Sequence, residues 1–188
     1  MAEIKEEFKK LEGMKEYVIL ATVKAKDYQE TNLKLIKHLT SEESIPGVYV
    51  TLSKPFETMQ KIFRRKGIDT DMVLFIDAVT DTSDKEIKKT KECLYIGGPE
   101  KLSDVSIAMD QAVRALPSKE KFVFFDSLSV LLMYNQVETV AKFIHFLASK
   151  MRTWKVKGII ISLQKNKDKE LIDELSQFCD STFDLGGK

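Results

Sequence analysis

The chain of 188 residues carries 30 basic and 29 acidic residues, and its net charge of +1 excludes binding to nucleic acid or membranes through overall positive charge. Its composition, 43% hydrophobic and 31% charged, is ordinary for a soluble globular protein. No apolar stretch reaches the roughly 18 residues that cross a bilayer, and the N-terminal sequence is unlike a signal peptide. We therefore expect a cytoplasmic protein with one domain over residues 1–188.

In the first half of the chain, helices are predicted where apolar residues recur every three or four positions, and strands where β-branched and aliphatic residues run together. Gly13 and Gly67 each end a helix, and Pro46 with Gly47 turns the chain into a strand. The predicted order is a helix over 4–12, a strand over 17–21, a helix over 33–41, a strand over 48–52, a helix over 55–66 and a strand over 72–76.

The second half of the chain continues this alternation after a polar stretch, 81–92, which predicts an exposed loop or turn of helix. The following segments are a strand over 93–96, a helix over 102–116, a strand over 122–125, a helix over 137–151, a strand over 156–163, a helix over 171–178 and a strand over 182–185. Strands that alternate with helices predict an α/β fold whose central sheet is mostly parallel and doubly wound.

The strand over 122–125 is the most informative segment. Its four consecutive apolar residues predict a strand that is buried on both faces, and Asp126 follows directly. In open α/β sheets, ligands bind beyond the carboxyl ends of the strands. Asp126 is therefore predicted to lie where this kind of fold places its ligand chemistry.

Several local motifs resemble those of RecA-like ATPases, and among them the KaiC-type domains. The segment 123–129, with Asp126 followed by Ser127, is similar to their Walker B strand. The segments 48–55 and 65–69 are similar to their second strand and the region after it, and 158–164 resembles the strand after Walker B. The resemblance runs from about Phe8 to Leu185 and implies a three-layer RecA-like fold.

The phosphate-binding loop of such ATPases is missing from this chain. That loop needs glycines, so that backbone N–H groups converge on the phosphates, and a lysine that reaches the terminal phosphates. Here no glycine lies between Gly13 and Gly47, and aligning Thr31 with the start of the following helix puts Glu30 at the lysine position. A carboxylate about 4 Å from a phosphate charge repels it by roughly 4 kcal/mol at an effective dielectric constant of about 20. The sequence therefore predicts a degenerate Walker A motif.

The resemblance implies a vestigial nucleotide site formed by Thr31, Asp126, Ser127 and Gln164. Asp126 would be a metal ligand only if a magnesium nucleotide binds; as a relic, it would instead cap the loop by accepting backbone N–H bonds. KaiC-type ATPases carry a water-activating glutamate after the second strand, where this chain has Ser53 and Lys54. We expect no catalytic residue and no cofactor, with ATP and Mg²⁺ as the alternative.

Structural roles are also predicted for the other residues that could carry chemistry. Two isolated histidines and two distant cysteines do not make a metal site, and the thiols are expected to be reduced and buried. An acidic group after the third strand could bind a cation or form a solvated loop, and the second interpretation is favoured. These residues are His38, His145, Cys93, Cys179, Asp77, Asp81 and Asp84.

Basic clusters at 64–66, 85–91 and 150–157 raise a nucleic-acid hypothesis, since relatives of RecA often act on DNA. Most of these lysines and arginines are interleaved with acids or lie on predicted helix faces. Phosphate binding needs the clusters to converge in space. DNA binding is therefore possible for this chain but is not favoured.

Three functions are compatible with this pattern. The favoured one is a catalytically inactive RecA/KaiC-like domain that acts as a regulatory or scaffolding protein through protein–protein contacts, as a homo-oligomer or with an active paralogue. The alternatives are a divergent ATPase that uses Thr31 and Asp126 with Lys24 or Lys26, and a DNA-associated recombination or repair accessory. Fold-level likeness leaves the partner and the pathway open.

Overall fold

The computed structural model describes residues 2–80, 90–164 and 169–186. Helices and strands alternate along the chain, and the bounds of most predicted elements are confirmed to within two residues. The strands are β1 (Tyr17–Val23), β2 (Gly47–Thr51), β3 (Val73–Asp77), β4 (Cys93–Tyr95), β5 (Phe122–Asp126), β6 (Lys157–Leu163) and β7 (Ser181–Asp184). The α-helices are α1 (Ala2–Lys9), α2 (Tyr28–Lys37), α3 (Phe56–Arg65), α4 (Leu102–Ala115), α5 (Leu128–Tyr134), α6 (Val137–Thr153) and α7 (Lys169–Ser176).

The seven strands form one sheet in the order β4-β3-β2-β5-β6-β1-β7, and every pairing is parallel. The chain leaves β1 and crosses to β2, and β5 and β6 later fill the space between those two strands. Because all strands run the same way, their carboxyl ends share one edge of the sheet, the carboxyl edge, and their amino ends share the other, the amino edge.

Helices cover both faces of the sheet and give three layers. One apolar cluster joins α1, α2 and α3 to the first face, and a second joins α4 to α7 to the opposite face. In β5, Phe122 and Phe124 belong to the first cluster, whereas Val123 and Phe125 belong to the second. A strand buried on both faces has a continuous apolar run, and the predicted three-layer α/β fold with a parallel sheet is confirmed.

Three local features differ from the sequence-based expectation. Helix α5 was not expected, because its segment is almost entirely apolar and shows no helical period. The helix predicted over 33–41 changes at Lys37 into a π-helical turn, His38–Glu42. Of the polar stretch 81–92, positions 81–89 lie outside the described residues. Both cysteines are free thiols, but only Cys93 is buried and Cys179 is half-buried.

No helix among the described residues combines the length and the apolar character that crossing a membrane requires.

Candidate functional site

Asp126 lies at the carboxyl edge, in the middle of the sheet, in register with Thr51 of β2 and Ile161 of β6. Its side chain is 2% exposed, and the hydroxyl of Tyr49 donates a hydrogen bond to its Oδ2 atom. Its Oδ1 atom has no hydrogen-bond partner among the described residues. Burial raises the pKa of the Asp126 carboxyl to about 8. The raised pKa favours the neutral, protonated form of this carboxyl.

The space beside Asp126 is a cavity of about 10 Å³. Its walls carry four buried polar atoms without a partner among the described residues: the Tyr28 hydroxyl, both side-chain atoms of Asn32 and the Oδ1 atom of Asp126. A cavity of this size has room for about one water molecule. Each of these four polar atoms has less than 1 Å² of accessible surface. The space is far too small for a nucleotide.

The connection from β1 to α2 is short. Only residues 24–27 separate the two elements, and the turn closes with a hydrogen bond of 3.0 Å from the Asp27 nitrogen to the Lys24 carbonyl oxygen. The Thr31 nitrogen then donates to the Asp27 carbonyl oxygen at 2.9 Å, so Thr31 already belongs to the helical ladder. A tight turn of this kind leaves little room for a loop that wraps around an anion.

Glu30 does not point into the site. Its side chain is 69% exposed and forms an ion pair of 2.6 Å with Lys34, one turn further along α2. That hydrogen bond and the charge of Lys34 lower the pKa of Glu30. The alignment predicts that Glu30 repels a phosphate at close range. In the structure, the Glu30 carboxylate instead points to solvent and pairs with Lys34.

Lys54 belongs to the pair Ser53–Lys54, which follows β2 where the resemblance implies a water-activating glutamate in KaiC-type ATPases. It follows β2, and its ammonium group donates to the Oε1 atom of Gln29 in the first turn of α2. Thr51 donates its hydroxyl to the Lys54 carbonyl oxygen at 2.5 Å and so fixes this loop. The β2–α3 loop thus bridges to the start of α2 and covers the cavity beside Asp126.

Of the four predicted site residues, Thr31, Asp126 and Ser127 are buried, whereas the side chain of Gln164 bonds elsewhere. Thr31 is buried in α2, and Ser127 is buried directly after Asp126. Gln164 follows β6, where its side-chain nitrogen donates to Asp184 of β7 at 2.5 Å. It thus points toward the β7 side of the sheet, whereas β5 is on the other side of β6.

The loop-capping role belongs to Asp77 and not to Asp126. The Asp77 carboxylate accepts three backbone N–H bonds of 2.8–2.9 Å, from Phe56, Val79 and Thr80, and the hydroxyl bond of Thr80 at 2.6 Å. It therefore ties the loop after β3 to the start of α3. Among the described residues, the Asp126 carboxyl accepts a bond from the Tyr49 hydroxyl at Oδ2 and none from a backbone N–H group, as its Oδ1 atom has no partner. Asp81 and Asp84 lie outside the described residues.

Both histidines have structural contacts. The ring of His38 stacks on Phe8 with 4.3 Å between centroids, and the ring of His145 lies 4.2 Å from that of Phe178. Among the described residues, no group of three or more His, Cys, Asp or Glu side chains is arranged to hold a metal ion.

The basic clusters that the structure describes begin in different layers. The cluster 64–66 lies at the end of α3, in the layer of α1 to α3. The cluster 150–157 begins at the end of α6 in the other layer, and its last residue, Lys157, is paired with Glu43. The cluster 85–91 lies mostly outside the described residues. The two described clusters thus form no common patch.

Most of the sequence, residues 23–185, matches a family described as Family of unknown function (DUF7504). The chain belongs to this family. A comparison with curated proteins finds no match in sequence.

Among solved structures, the chain is similar to the KaiC-like protein PH0186 from the hyperthermophilic archaeon Pyrococcus horikoshii OT3. The TM-score is 0.59 at 14% sequence identity, and the alignment covers 83% of this chain and 67% of that chain. At this identity the likeness establishes the RecA-like fold and leaves the activity open.

Sequence reasoning missed Asn32, Tyr49 and Tyr28, which line the cavity beside Asp126. A signal existed for two of them. Asn32 interrupts the apolar stripe of α2, and Tyr49 stands inside a strand of buried residues, where its hydroxyl needs a partner.

Proposed function

We propose that this chain is a RecA/KaiC-like pseudo-ATPase, which binds no nucleotide and acts as a regulatory or scaffolding protein through protein–protein contacts. The observation that carries the proposal is the cavity beside Asp126, whose volume is about 10 Å³. A nucleotide triphosphate needs a cleft many times larger. In this proposal, side chains of α2 and of the β2–α3 loop take up the space beside Asp126 that a nucleotide would need.

The chemistry of the site supports the same proposal. The turn over residues 24–27 contains no glycine, and the Walker A motif is degenerate in this interpretation. Burial keeps the Asp126 carboxyl mainly protonated near neutral pH, since its pKa is raised to about 8. Lys54 replaces the carboxylate that would activate water, and its ammonium group is bound to Gln29.

A protein-binding role is supported by apolar side chains at the α5–α6 junction. Met133, Tyr134 and Val137 are 74%, 57% and 51% exposed, and they follow each other within five positions. Their neighbours Leu131 and Val140 are fully buried, so the exposure is specific to this turn. Contiguous exposed apolar surface marks interaction sites in many proteins. The partner is a second copy of the chain or an active RecA/KaiC-like paralogue.

Calorimetric titration with Mg·ATP tests the first half of the proposal. We expect no saturable heat at nucleotide concentrations up to about 1 mM, because the filled cavity excludes the triphosphate. Micromolar binding would refute the proposal in favour of the divergent ATPase. In that case an ATP turnover that Asp126→Ala leaves unchanged would also exclude Asp126 as the magnesium ligand.

Sedimentation velocity tests the second half, with the chain alone and mixed with a purified paralogue. We expect association that the triple substitution Met133→Ser, Tyr134→Ser and Val137→Ser weakens at least about tenfold. Ile107→Ser is the matched control, since Ile107 is 56% exposed but stands alone on α4. A chain that stays monomeric in both settings, or an equal effect of both variants, would contradict the scaffold role of this surface.

A further inference from the structure

Helices α2 and α3 belong to the same layer and bring their C-terminal ends together. The ammonium group of Lys37, at the end of α2, donates a hydrogen bond of 3.3 Å to the carbonyl oxygen of Lys66, directly after α3. Leu33, Lys34, Lys37 and Lys66 line, with Glu30, a groove of about 180 Å³ between the two helices. The structure thus joins basic residues of two separate segments of the sequence.

The basic side chains of α3 extend this groove into a larger surface. Lys61 precedes Arg64 and Arg65 by three and four positions, so the three side chains are neighbours on the helix surface. They are exposed to solvent, as are Lys37 and Lys66. The basic surface, as we define it, consists of Lys34, Lys37, Lys61, Arg64, Arg65 and Lys66.

Most charges of the basic surface have no carboxylate beside them. Glu30 is the one acid among the residues that line the groove, and it pairs with Lys34 at 2.6 Å. Among the described residues, no carboxylate lies within 4.0 Å of the other five cations. The next acid along the chain, Asp69, accepts the N–H group of Asp71 at 2.9 Å. The donors of this surface are therefore both accessible and unpaired among the described residues.

Helix stability accounts for only a small part of this charge. Cations near the C-terminus of a helix interact favourably with its dipole, which places about half a negative elementary charge there. The ends of α2 and α3 together thus offset about one of the six positive charges, and Glu30 offsets another. The remaining excess of about four charges favours a negatively charged partner.

The other properties of the surface discriminate between anionic partners. Single-stranded nucleic acids stack their bases on aromatic side chains, and membrane surfaces take up exposed apolar ones. Neither α2 nor α3 carries a large exposed apolar side chain among the described residues. Duplex nucleic acids are bound by strongly basic domains, whereas the isoelectric point of this chain is near 7.7. A protein with acidic side chains is the partner that these observations favour.

The geometry of the surface suits acidic side chains. A guanidinium group binds a carboxylate through two parallel hydrogen bonds, and Arg64 and Arg65 offer two such groups next to each other. The groove is smaller than the roughly 300 Å³ at which pockets for small molecules begin, so it has room for a side chain of a partner. Leu33 gives it an apolar wall for the methylene groups of that side chain, and Lys37 and Lys66 flank it.

We propose that the basic surface binds an acidic segment of a protein partner. Aspartate or glutamate side chains of that segment pair with Arg64, Arg65 and Lys66, and one of them enters the groove beside Leu33. This inference rests on the proposed function, which assigns a protein partner to the chain, and it names the chemistry of that partner. The surface belongs to the layer of α1 to α3, whereas the apolar side chains at the α5–α6 junction belong to the other layer. The two contacts can therefore be tested separately.

The test is fluorescence anisotropy at low ionic strength, with a short labelled peptide of alternating glutamate and serine as the probe. A peptide of alternating glutamine and serine is the neutral probe of similar shape. We expect saturable binding of the acidic peptide, affinity at least about tenfold weaker for the neutral one, and further weakening as salt is added. The triple substitution Arg64→Gln, Arg65→Gln and Lys66→Gln should lower the affinity for the acidic peptide at least about tenfold.

The matched control is the triple substitution Lys101→Gln, Lys142→Gln and Lys169→Gln. It removes the same net charge from exposed positions of the other layer, so it should change the affinity by no more than about twofold. Equal losses in the two variants would show that overall charge, and not the basic surface, attracts the peptide, and the proposal would be wrong. It would also be wrong if the acidic peptide gave no saturable binding or bound no better than the neutral one.

A labelled DNA duplex is the competing probe. Tighter binding of the duplex than of the acidic peptide, lost in the triple variant at 64–66, would assign the surface to phosphate groups and overturn the proposal. The proposed function has its own readouts, the Mg·ATP titration and the association that depends on Met133, Tyr134 and Val137. If those behave as expected while the acidic peptide fails to bind, this inference alone is refuted.

Discussion

The two edges of the sheet use the same fold in opposite ways. At the carboxyl edge, Asp126 faces a cavity of about 10 Å³ that the side chains of α2 and the β2–α3 loop close. At the amino edge, a cavity of about 400 Å³ stays open between α1 and the π-helical turn. Parallel α/β sheets generally bind ligands at the carboxyl edge. Of these two cavities, both lined by described residues, the larger lies at the amino edge.

This difference teaches that topology fixes where a site can form and that side chains decide whether it does. The order of the strands still brings the end of β5 to the middle of the carboxyl edge, as in other RecA-like folds. The turn of four residues after β1 and the bridge from Lys54 to Gln29 then close the space. If the proposed loss of nucleotide binding is correct, the chain keeps the architecture of the fold without the volume that a nucleotide needs.

The edges also differ in how they treat buried polar groups. At the carboxyl edge, Asp126 and Asn32 leave polar atoms unpaired among the described residues, and Asp126 is held as a neutral acid. At the amino edge, Lys157, Glu43 and His38 are charged or chargeable and are paired with one another. Substitutions at the two edges should therefore change the free energy of unfolding by different amounts, depending on whether the buried polar group is unpaired or paired.

The largest effect is expected at Asp126. Asp126→Ala removes the acceptor of the Tyr49 hydroxyl and enlarges the cavity, which should cost about 2–4 kcal/mol of unfolding free energy. Asp126→Asn keeps an acceptor oxygen and the shape of the neutral acid, so it should cost about 1 kcal/mol or less. Urea unfolding of both variants measures the difference.

A contrary result at Asp126 would identify a working magnesium site. If Mg·ATP stabilises the parent protein and Asp126→Asn abolishes that stabilisation, the carboxylate is a ligand and the closed edge opens in solution. Equal losses for the two variants would show that the charge of Asp126, and not its shape, matters for stability.

The second effect concerns the ion pair at the amino edge. Lys157→Met leaves Glu43 without its closest cation in a largely buried setting, and we expect a loss of about 2 kcal/mol. Glu43→Gln tests the other partner, and the double variant should recover about 1–2 kcal/mol relative to the sum of the two single losses. Urea unfolding of the four proteins gives the coupling energy. Additive losses would show that the two groups do not interact in solution.

A smaller effect is expected from pH at the same edge. The hydrogen bond to Glu43 raises the pKa of His38, and the bond to Glu42 adds to this. Because the folded pKa is above the unfolded value, the stability from protonated His38 is complete below about pH 6.5 and is lost as pH rises through the folded pKa. The change should be about 1 kcal/mol or less, since solvent partly screens the pair.

The measurement is the unfolding free energy of the parent protein and of His38→Gln between pH 6 and 9. Lys5 and Lys157 also face the two glutamates, and because both proteins carry them, the comparison cancels their contribution. We expect stability to fall more steeply with rising pH in the parent protein. Parallel curves would show that His38 carries no proton-dependent contact.

Much of the fold could be predicted from the sequence, because each strand is a compact run of apolar residues bounded by turns. The continuous run from Phe122 to Phe125 already required two covered faces, and both are present. Helix α5 could not be predicted, since a segment that is apolar at nearly every position shows no helical period. The change of α2 into a π-helical turn at His38 depends on packing against α1, which sequence periodicity does not express.

Less of the candidate sites could be predicted. Asp126 was found because its position follows from topology, and the lack of glycine after β1 was visible directly. The role of Tyr49 as the partner of Asp126 depends on register between β2 and β5, which only the structure gives. The amino-edge cavity joins residues from both ends of the chain, such as Phe8 and Lys157, so no local motif predicts it.

The smallest effect is expected from removing one buried tyrosine hydroxyl at each edge. Tyr17 at the amino edge and Tyr28 at the carboxyl edge both bury a hydroxyl without a partner among the described residues. Removing an unsatisfied polar group should not destabilise the protein, so Tyr17→Phe and Tyr28→Phe should each change the unfolding free energy by about 0–1 kcal/mol, in the stabilising direction. Thermal and urea unfolding of the two variants measure this.

A clear loss of stability in Tyr28→Phe would show that a bound water bonds to the polar groups beside Asp126, because a water held by Tyr28, Asn32 and Asp126 would lose one of its partners. A gain in Tyr17→Phe with no change in Tyr28→Phe would mean that only the hydroxyl at the amino edge is unsatisfied in solution.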